Sequence, residues 1–259
     1  MADASIYPEL KVTQVKNPNK MWAIPIFGFV AKMVILIPVF IEIWFVMVYS
    51  GILTLINSLM VLFTGKYWRY SYEIKLGFFK LAAKTAFFIS GLTDKYPGFD
   101  FKIEDKFSLD LAYPQSPNRL YAIPIFGGFA RIIILIPFII YSAIISSGAR
   151  LGVIVSFAPV FFNGQYPEST FELAVDSLRL STAMLAYFSG LSDKYPSFYI
   201  NKNHMNAKVI LIVIALLLSF GRGFHYRQNN WGNSIRYKFD YQRDYQPTVP
   251  QQKPADGII

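Results

Sequence analysis

Between residues 24 and 64 the chain is apolar except for Lys32 and Glu42. One straight helix of that length would run to roughly 60 Å at 1.5 Å per residue, about twice the hydrocarbon thickness of a bilayer. The pattern therefore predicts a break. Tyr49-Ser50-Gly51 supplies the residues for it, as does Ser146-Ser147-Gly148-Ala149-Arg150 in a second apolar run. An arginine in mid-hydrocarbon is costly, so a turn at a polar surface or in a protein-lined pocket is favoured. Each run is expected to form a helical hairpin whose long first arm is kinked at Pro38 or Pro137. The second arms, 52–63 and 151–162, are short for a full crossing, so a wedge that enters and leaves one face is the alternative.

A third helix is predicted over 72–92, with Glu73, Gly77, Lys80, Lys84 and Gly91 on one face and large apolar residues over most of the rest. Glu172, Asp176, Arg179 and Gly190 repeat the stripe further along. Such a helix either lies in the membrane interface or packs its stripe against protein, and the interface is the expectation. Phe99, Phe101 and Ile103 alternate with polar residues, as do Leu109, Leu111 and Tyr113, which predicts a small sheet outside the bilayer with a turn at Glu104-Asp105-Lys106. Residues 207–221 read as a short transmembrane or re-entrant helix between Lys208 and Arg222.

The two apolar runs belong to an internal repeat. Shifted by 99 residues, the sequence falls on itself without a gap. Ala23-Ile24-Pro25-Ile26-Phe27-Gly28 falls on Ala122-Ile123-Pro124-Ile125-Phe126-Gly127, Lys32 on Arg131, and Phe63, Gly65 and Tyr67 on Phe162, Gly164 and Tyr166. Asp94-Lys95-Tyr96-Pro97 falls on Asp193-Lys194-Tyr195-Pro196 near the end of each copy. Both copies resemble the DUF4389 family of small bacterial membrane proteins. The resemblance rests on the apolar run ending in Phe162-Asn163-Gly164-Gln165-Tyr166-Pro167, on residues 171–179, and on Asp193-Lys194-Tyr195-Pro196-Ser197-Phe198. It covers roughly residues 8–200, although copy one has Trp68 where the pattern has a proline. It implies a membrane location and a fold type; the family's activity is uncharacterised, so no catalytic residue carries over.

Composition agrees with the membrane reading: 54% of the 259 residues are hydrophobic, 16% are charged, and the mean hydropathy is +0.35. The net charge of +9 flanks the apolar runs without forming a basic block, which favours anionic lipid headgroups over nucleic acid as partner. The absence of cysteine excludes disulfides, thiol catalysis and thiolate-bound metals. Met1 to Lys20 lacks the apolar core of a cleaved signal peptide. With paired hairpins, Lys11, Lys16, Lys20, Lys66, Arg69 and Lys75 share one side, cytoplasmic by the positive-inside rule.

Candidate chemistry is sparse. Lys32 and Arg131 lie at equivalent depths and admit two readings: snorkelling to the headgroups, or a pair of cations that bind an anionic lipid or substrate near a pseudo-twofold centre. Lys80 and Arg179 are further candidates for lipid or anion contact. Glu42 has Tyr141 as its counterpart and could relay protons, but ten residues along a helix separate it from Lys32 by roughly 15 Å. Glu172, Asp176 and Arg179 share a helix face with no histidine, which fits a packing stripe better than a metal site. His204 and His225 lie near no serine–acid arrangement, and no glycine-rich phosphate loop is present. The Asp-Lys-Tyr-Pro motifs read as turns.

The expected protein is mainly α and membrane-integral: two tandem repeats of a kinked hairpin plus an amphipathic interfacial helix, with short β segments outside the bilayer. The expected parts are repeats at 7–101 and 107–200, a short membrane helix at 206–222, and an extended aromatic and basic tail at 223–259. The expected function is a non-enzymatic scaffold or accessory subunit of a bacterial inner-membrane complex, without cofactor or metal. Its partners would be anionic lipids and other membrane subunits, with Trp231, Tyr237, Phe239, Tyr241 and Tyr245 docking one of them. The alternatives are a membrane-shaping hairpin protein and a lipid or small-molecule carrier with its site near Lys32, Glu42 and Arg131.

Overall fold

The computed structural model describes residues 8–14, 18–24, 27–99, 107–123 and 126–219. The chain divides into a unit spanning Met1–Leu216 and a second spanning Leu217–Ile259; the packing described here belongs to the first. The aromatic tail residues proposed for docking lie outside the described residues.

The fold is mainly helical. Its elements are β1 (Glu9–Val12), a 3-10 turn (Lys20–Ala23), α1 (Phe27–Ile35), α2 (Ile37–Thr64) and α3 (Arg69–Ile89), followed by β2 (Phe107–Asp110), a 3-10 turn (Arg119–Ala122), α4 (Phe126–Val155), α5 (Phe157–Asn163) and α6 (Glu168–Phe188). A seventh helix, α7, spans Met205–Ser219.

The helical breaks fall at prolines rather than at the polar glycine motifs. Leu36, between α1 and α2, keeps a helical conformation, and the Leu36 and Phe40 amides still donate back to the Lys32 and Leu36 carbonyls at 3.0 and 2.8 Å. Pro38, in the first turn of α2, lacks the amide that would continue the ladder. The second interruption, at Ser156, lies one turn before Pro159, which has Met60 as its counterpart, and α2 runs through the equivalent stretch unbroken.

Three expectations are corrected. Tyr49-Ser50-Gly51 and Ser146 to Arg150 are helical, so no hairpin turn forms at either place. Their polar groups find partners without a turn: Ser147 Oγ donates to the Ile144 carbonyl at 2.7 Å and Arg150 Nε to the Ser146 carbonyl at 3.2 Å within the helix, while the Tyr49 and Ser146 hydroxyls bond across to Tyr70 and Ser177. Short one-leaflet wedges are therefore not formed there, and Lys20 and Lys66 flank opposite ends of the α1–α2 run, which removes the basis of the orientation argument. The stripe of the third helix is not uniformly turned outward either. On α3 its members Gly77 and Lys84 are buried, Lys80 is half-buried and Glu73 is exposed, and on α6 Asp176 and Arg179 are only 5% and 4% exposed. The α6 stripe faces protein, which a periodicity count alone cannot tell from solvent.

The sheet is a single antiparallel pair of β1 with β2. The expected partner strand at 99–103 lies almost wholly outside the described residues. In the observed register Leu10 pairs with Leu109, its own counterpart in the repeat. A residue paired antiparallel with its own equivalent is what a local twofold axis produces. The same reciprocity recurs next to the strands. Gln14 Nε2 donates to the Tyr166 carbonyl at 2.7 Å, and the Tyr113 hydroxyl, at the position equivalent to Gln14, donates to the Tyr67 carbonyl. Each long helical run ends on a glycine in the left-handed region, Gly65 (φ 71°) or Gly164 (φ 67°), beside a basic residue of the other copy, Arg119 or Lys20. Glycine adopts that conformation without strain, and a cation complements the helix C-terminus.

The central core joins both copies, with Tyr67, Phe79, Phe87, Leu109, Val160 and Tyr166 in one buried cluster. Leu36, Val39, Leu81 and Phe88 form a smaller core in copy one; Leu135, Phe138, Leu173 and Leu180 form another in copy two, which Ile212 of α7 joins. Two stretches that contribute to these cores are long and apolar enough to cross a membrane, Ile37–Thr64 and Phe126–Asn163, with mean hydropathies of 2.1 and 2.2. Only 17% and 33% of their most apolar windows are buried within the chain, and Trp44, Phe45, Ile154 and Phe162 are largely exposed.

Candidate functional site

Lys32 and Arg131 lie in equivalent chambers that are furnished differently. Each enters on the second turn of a helix that begins against a 3-10 turn. The approach is close enough that a Cβ on Gly28 would lie 2.4 Å from the Trp22 carbonyl oxygen, and one on Gly127 2.2 Å from that of Tyr121. Neither cation snorkels: Lys32 is 2% exposed and Arg131 4%. Aromatic rings flank both. Lys32 Nζ is 6.0 Å from the Trp22 ring and 5.5 Å from that of Phe88; the Arg131 guanidinium is 5.0 and 5.1 Å from the rings of Tyr121 and Tyr187, their counterparts.

An aspartate from the Asp-Lys-Tyr-Pro motif closes each chamber. The Asn19 amide donates to Asp94 Oδ2 at 2.5 Å and the Asn118 amide to Asp193 Oδ2 at 2.6 Å. The turn reading of these motifs thus captures half of their role, since they also set a carboxylate beside a buried cation.

The Arg131 chamber is satisfied internally. Its guanidinium donates to the carbonyls of Tyr187 (2.6 Å) and Ser192 (3.1 Å) and pairs with Asp193. Lys75 reaches in from α3 of the other copy, its ammonium donating to the Tyr67 hydroxyl at 2.9 Å and to the Ser189 carbonyl at 3.2 Å. Burial pushes Lys75 down to about 7, with the Arg131 charge adding to the effect, and burial raises Tyr67. The space left is about 30 Å³, roughly one water.

The Lys32 chamber is open. Among the described residues the Lys32 ammonium has no hydrogen bond and no ion pair within 4 Å. The counterpart of Lys75 is Ala174, so no side chain arrives from α6. The counterpart of Tyr67 is Tyr166, whose buried hydroxyl meets no partner in hydrogen-bonding geometry, the nearby Ser156 hydroxyl being bonded to the Gly152 carbonyl and the Thr170 hydroxyl. Burial pushes Tyr166 up to about 12, with the Ser156 hydroxyl acting in the opposite sense. A cavity of about 350 Å³ separates these groups, lined by Lys32, Asp94, Trp22, Ser90, Ser156 and Tyr166 among others. A second void of about 510 Å³ shares Phe29, Ile89, Ser90, Val153 and Ile154 with it and is lined further on by Phe87, Ala174 and Arg150. Together they form a mainly apolar cavity that carries a few polar groups at the Lys32 end, a shape and polarity suited to an amphiphile.

The remaining candidates fall elsewhere. Glu42 lines neither cavity and makes no ion pair with Lys32 among the described residues; its Oε2 is buried without a partner. Lys80 is half-buried on α3 and lines neither cavity. Arg179 is buried: it donates to the Tyr199 carbonyl, lies 5.4 Å from the Tyr199 ring and approaches Asp176 at 3.8 Å. Asp176 and Glu172 instead hold α7 through Lys208, whose ammonium is 2.8 Å from Glu172 and 3.7 Å from Asp176. Among the described residues no group of three or more histidines, aspartates or glutamates could hold a metal ion.

Sequence reasoning missed Lys75, Tyr67 and Tyr166. The signal was available in the repeat itself, as the position where a buried-helix lysine in one copy meets an alanine in the other. No curated protein and no solved structure matches the chain. Residues 128–199, which carry the Arg131 chamber's cation, its aspartate and the Tyr166 hydroxyl, match the family model described as "Domain of unknown function (DUF4389)".

Proposed function

We propose that this chain is a non-enzymatic integral protein of the bacterial inner membrane that holds one amphiphilic molecule, its polar end in the Lys32 chamber and its apolar part in the adjoining cleft. The observation that carries this reading is a buried ammonium with no hydrogen-bond partner facing a 350 Å³ cavity, while its counterpart Arg131 is fully engaged. A buried ammonium that makes no hydrogen bond is costly even with Asp94 nearby, so an anionic or strongly polar ligand there would be stabilising. The exposed apolar faces of α2 and α4 support the membrane location, since soluble monomers rarely expose contiguous apolar surface of that extent. The test is extraction in a mild detergent followed by native mass spectrometry. One co-purifying amphiphile per chain is expected, lost at least tenfold in Lys32→Met. A wild-type protein that carries none, even after incubation with total membrane lipid, would remove the reading.

A second reading, an accessory subunit, is favoured by a difference between the copies. Helix α7 packs on α4 at Gly148, where a Cβ would come within 2.4 Å of Ile212, whereas α2 has no corresponding helix among the described residues. A membrane helix of another subunit could take that place on α2. Cross-linking from Ile41→Cys and Trp44→Cys in native membranes tests it, and the absence of any protein adduct would count against it.

A further inference from the structure

The two chambers act as templates for each other, and the occupied one carries the chemistry missing from the open one. In the Arg131 chamber an alkylammonium, that of Lys75, donates to a tyrosine hydroxyl and to a serine carbonyl. In the Lys32 chamber the same tyrosine, Tyr166, has a buried hydroxyl with no hydrogen-bond partner, and the same serine, Ser90, lines the void. Ala174 borders the adjoining cleft, so the path that a lysine side chain would take from position 174 is part of the empty space. Asp94 lines the chamber as well and can balance an added positive charge. Lys32, with no hydrogen bond among the described residues, calls for an anionic acceptor, and Arg150 lines the cleft as a second cation.

We propose that the amphiphile held in the Lys32 chamber is zwitterionic, with a primary ammonium at the place equivalent to the Lys75 ammonium, a phosphate facing Lys32 and an acyl chain in the cleft: a phospholipid of the ethanolamine type. This rests on the amphiphile-binding reading above and names the headgroup. A choline headgroup carries no N–H and cannot donate to Tyr166 or to the Ser90 carbonyl; its three methyl groups also enlarge the part that must sit there. A glycerol headgroup can donate but brings no positive charge to Asp94. The lysine of copy one is thus a built-in stand-in for the ligand of copy two's tyrosine.

The full chain, purified in detergent and delipidated, is incubated with an equimolar mixture of ethanolamine, choline and glycerol phospholipids of one chain length, and bound lipid is read by native mass spectrometry. One ethanolamine lipid per chain, retained at least tenfold over choline lipid, is expected. Ala174→Lys, which restores the lysine found at the equivalent position 75, should abolish retention. Tyr166→Phe keeps the volume and removes the hydroxyl; it should retain lipid but reduce the preference for ethanolamine at least threefold, a readout available even where Ala174→Lys fails to fold. Choline or glycerol lipid retained equally, or a preference unchanged in Tyr166→Phe, would overturn the ammonium assignment while leaving amphiphile binding intact. Retention of no lipid of any kind would overturn both.

Discussion

Replacing Lys75 with methionine tests the occupied chamber, because it deletes a titrating group while nearly keeping its shape. Lysine titrates at 10.5 when solvated, and burial beside Arg131 brings Lys75 down to about 7 in the folded chain. Its folded state is therefore penalised wherever the unfolded chain would hold the proton more tightly. Below pH 7 the ammonium is charged in both states and the penalty is full, about 4 kcal/mol at pH 7 from the separation of the two values. Above pH 7 the folded chain releases the proton while the unfolded chain keeps it, so stability rises with pH. By pH 9.5 the penalty has fallen to about 1.5 kcal/mol, a gain of about 3 kcal/mol across the window. Tyr67 and Tyr166, both raised by burial, pull stability down only above the ordinary tyrosine range near 10, which closes the window at pH 9.5. The assay is equilibrium unfolding in mixed micelles at pH 7 and 9.5 for wild type and Lys75→Met. Wild type should gain about 3 kcal/mol more than the variant. A wild type whose stability is flat or falls across that range, in parallel with the variant, would refute the buried placement of Lys75.

Three further substitutions probe the fold. Gly51→Ala places a Cβ in open space within α2, so it should stabilise by up to about 1 kcal/mol; the loss of stability expected of a turn glycine would contradict the continuous helix. Gly148→Ala brings a Cβ to 2.4 Å from Ile212 and 3.0 Å from its backbone, and should cost about 1–3 kcal/mol while exposing α7 to limited proteolysis; an unchanged cleavage pattern would rule out that contact. Lys208→Met leaves Glu172 and Asp176 without their shared cation and should cost about 3–5 kcal/mol in a denaturant titration. Burial already raises Asp176, so its protonation should offset part of that loss as pH falls, and a loss that grew on acidification would contradict this assignment.

The sequence made some of this legible and hid the rest for identifiable reasons. Apolar runs announced the two long helices, and the 99-residue offset announced that their surroundings would recur. Pro38 and Pro159 were a better guide to the breaks than Ser50-Gly51 or Ser147-Gly148, because a missing amide interrupts the ladder whereas serine can bond back to it, although α4 runs through Pro137 without a break. The α6 stripe misled because helical periodicity reports one polar face without saying whether water or protein covers it. Asp176, Arg179 and Lys208 form a buried polar joint between segments that are distant in sequence, which a local pattern cannot reveal. Lys32 and Arg131 were found from equivalence alone. The decisive feature, Lys75 against Ala174, was a departure from that equivalence, and its meaning depends on Tyr67 and Tyr166 being buried next to the two cations.

The most direct measurement is an experimental structure of the chain extracted with its native lipids. Density beside Tyr166 and Lys32 that continues as an acyl chain between Ile89 and Ile154 is the predicted result, with none in the Arg131 chamber apart from the Lys75 side chain. A Lys32 chamber collapsed, or filled only by water or by another subunit's side chain, would contradict the account.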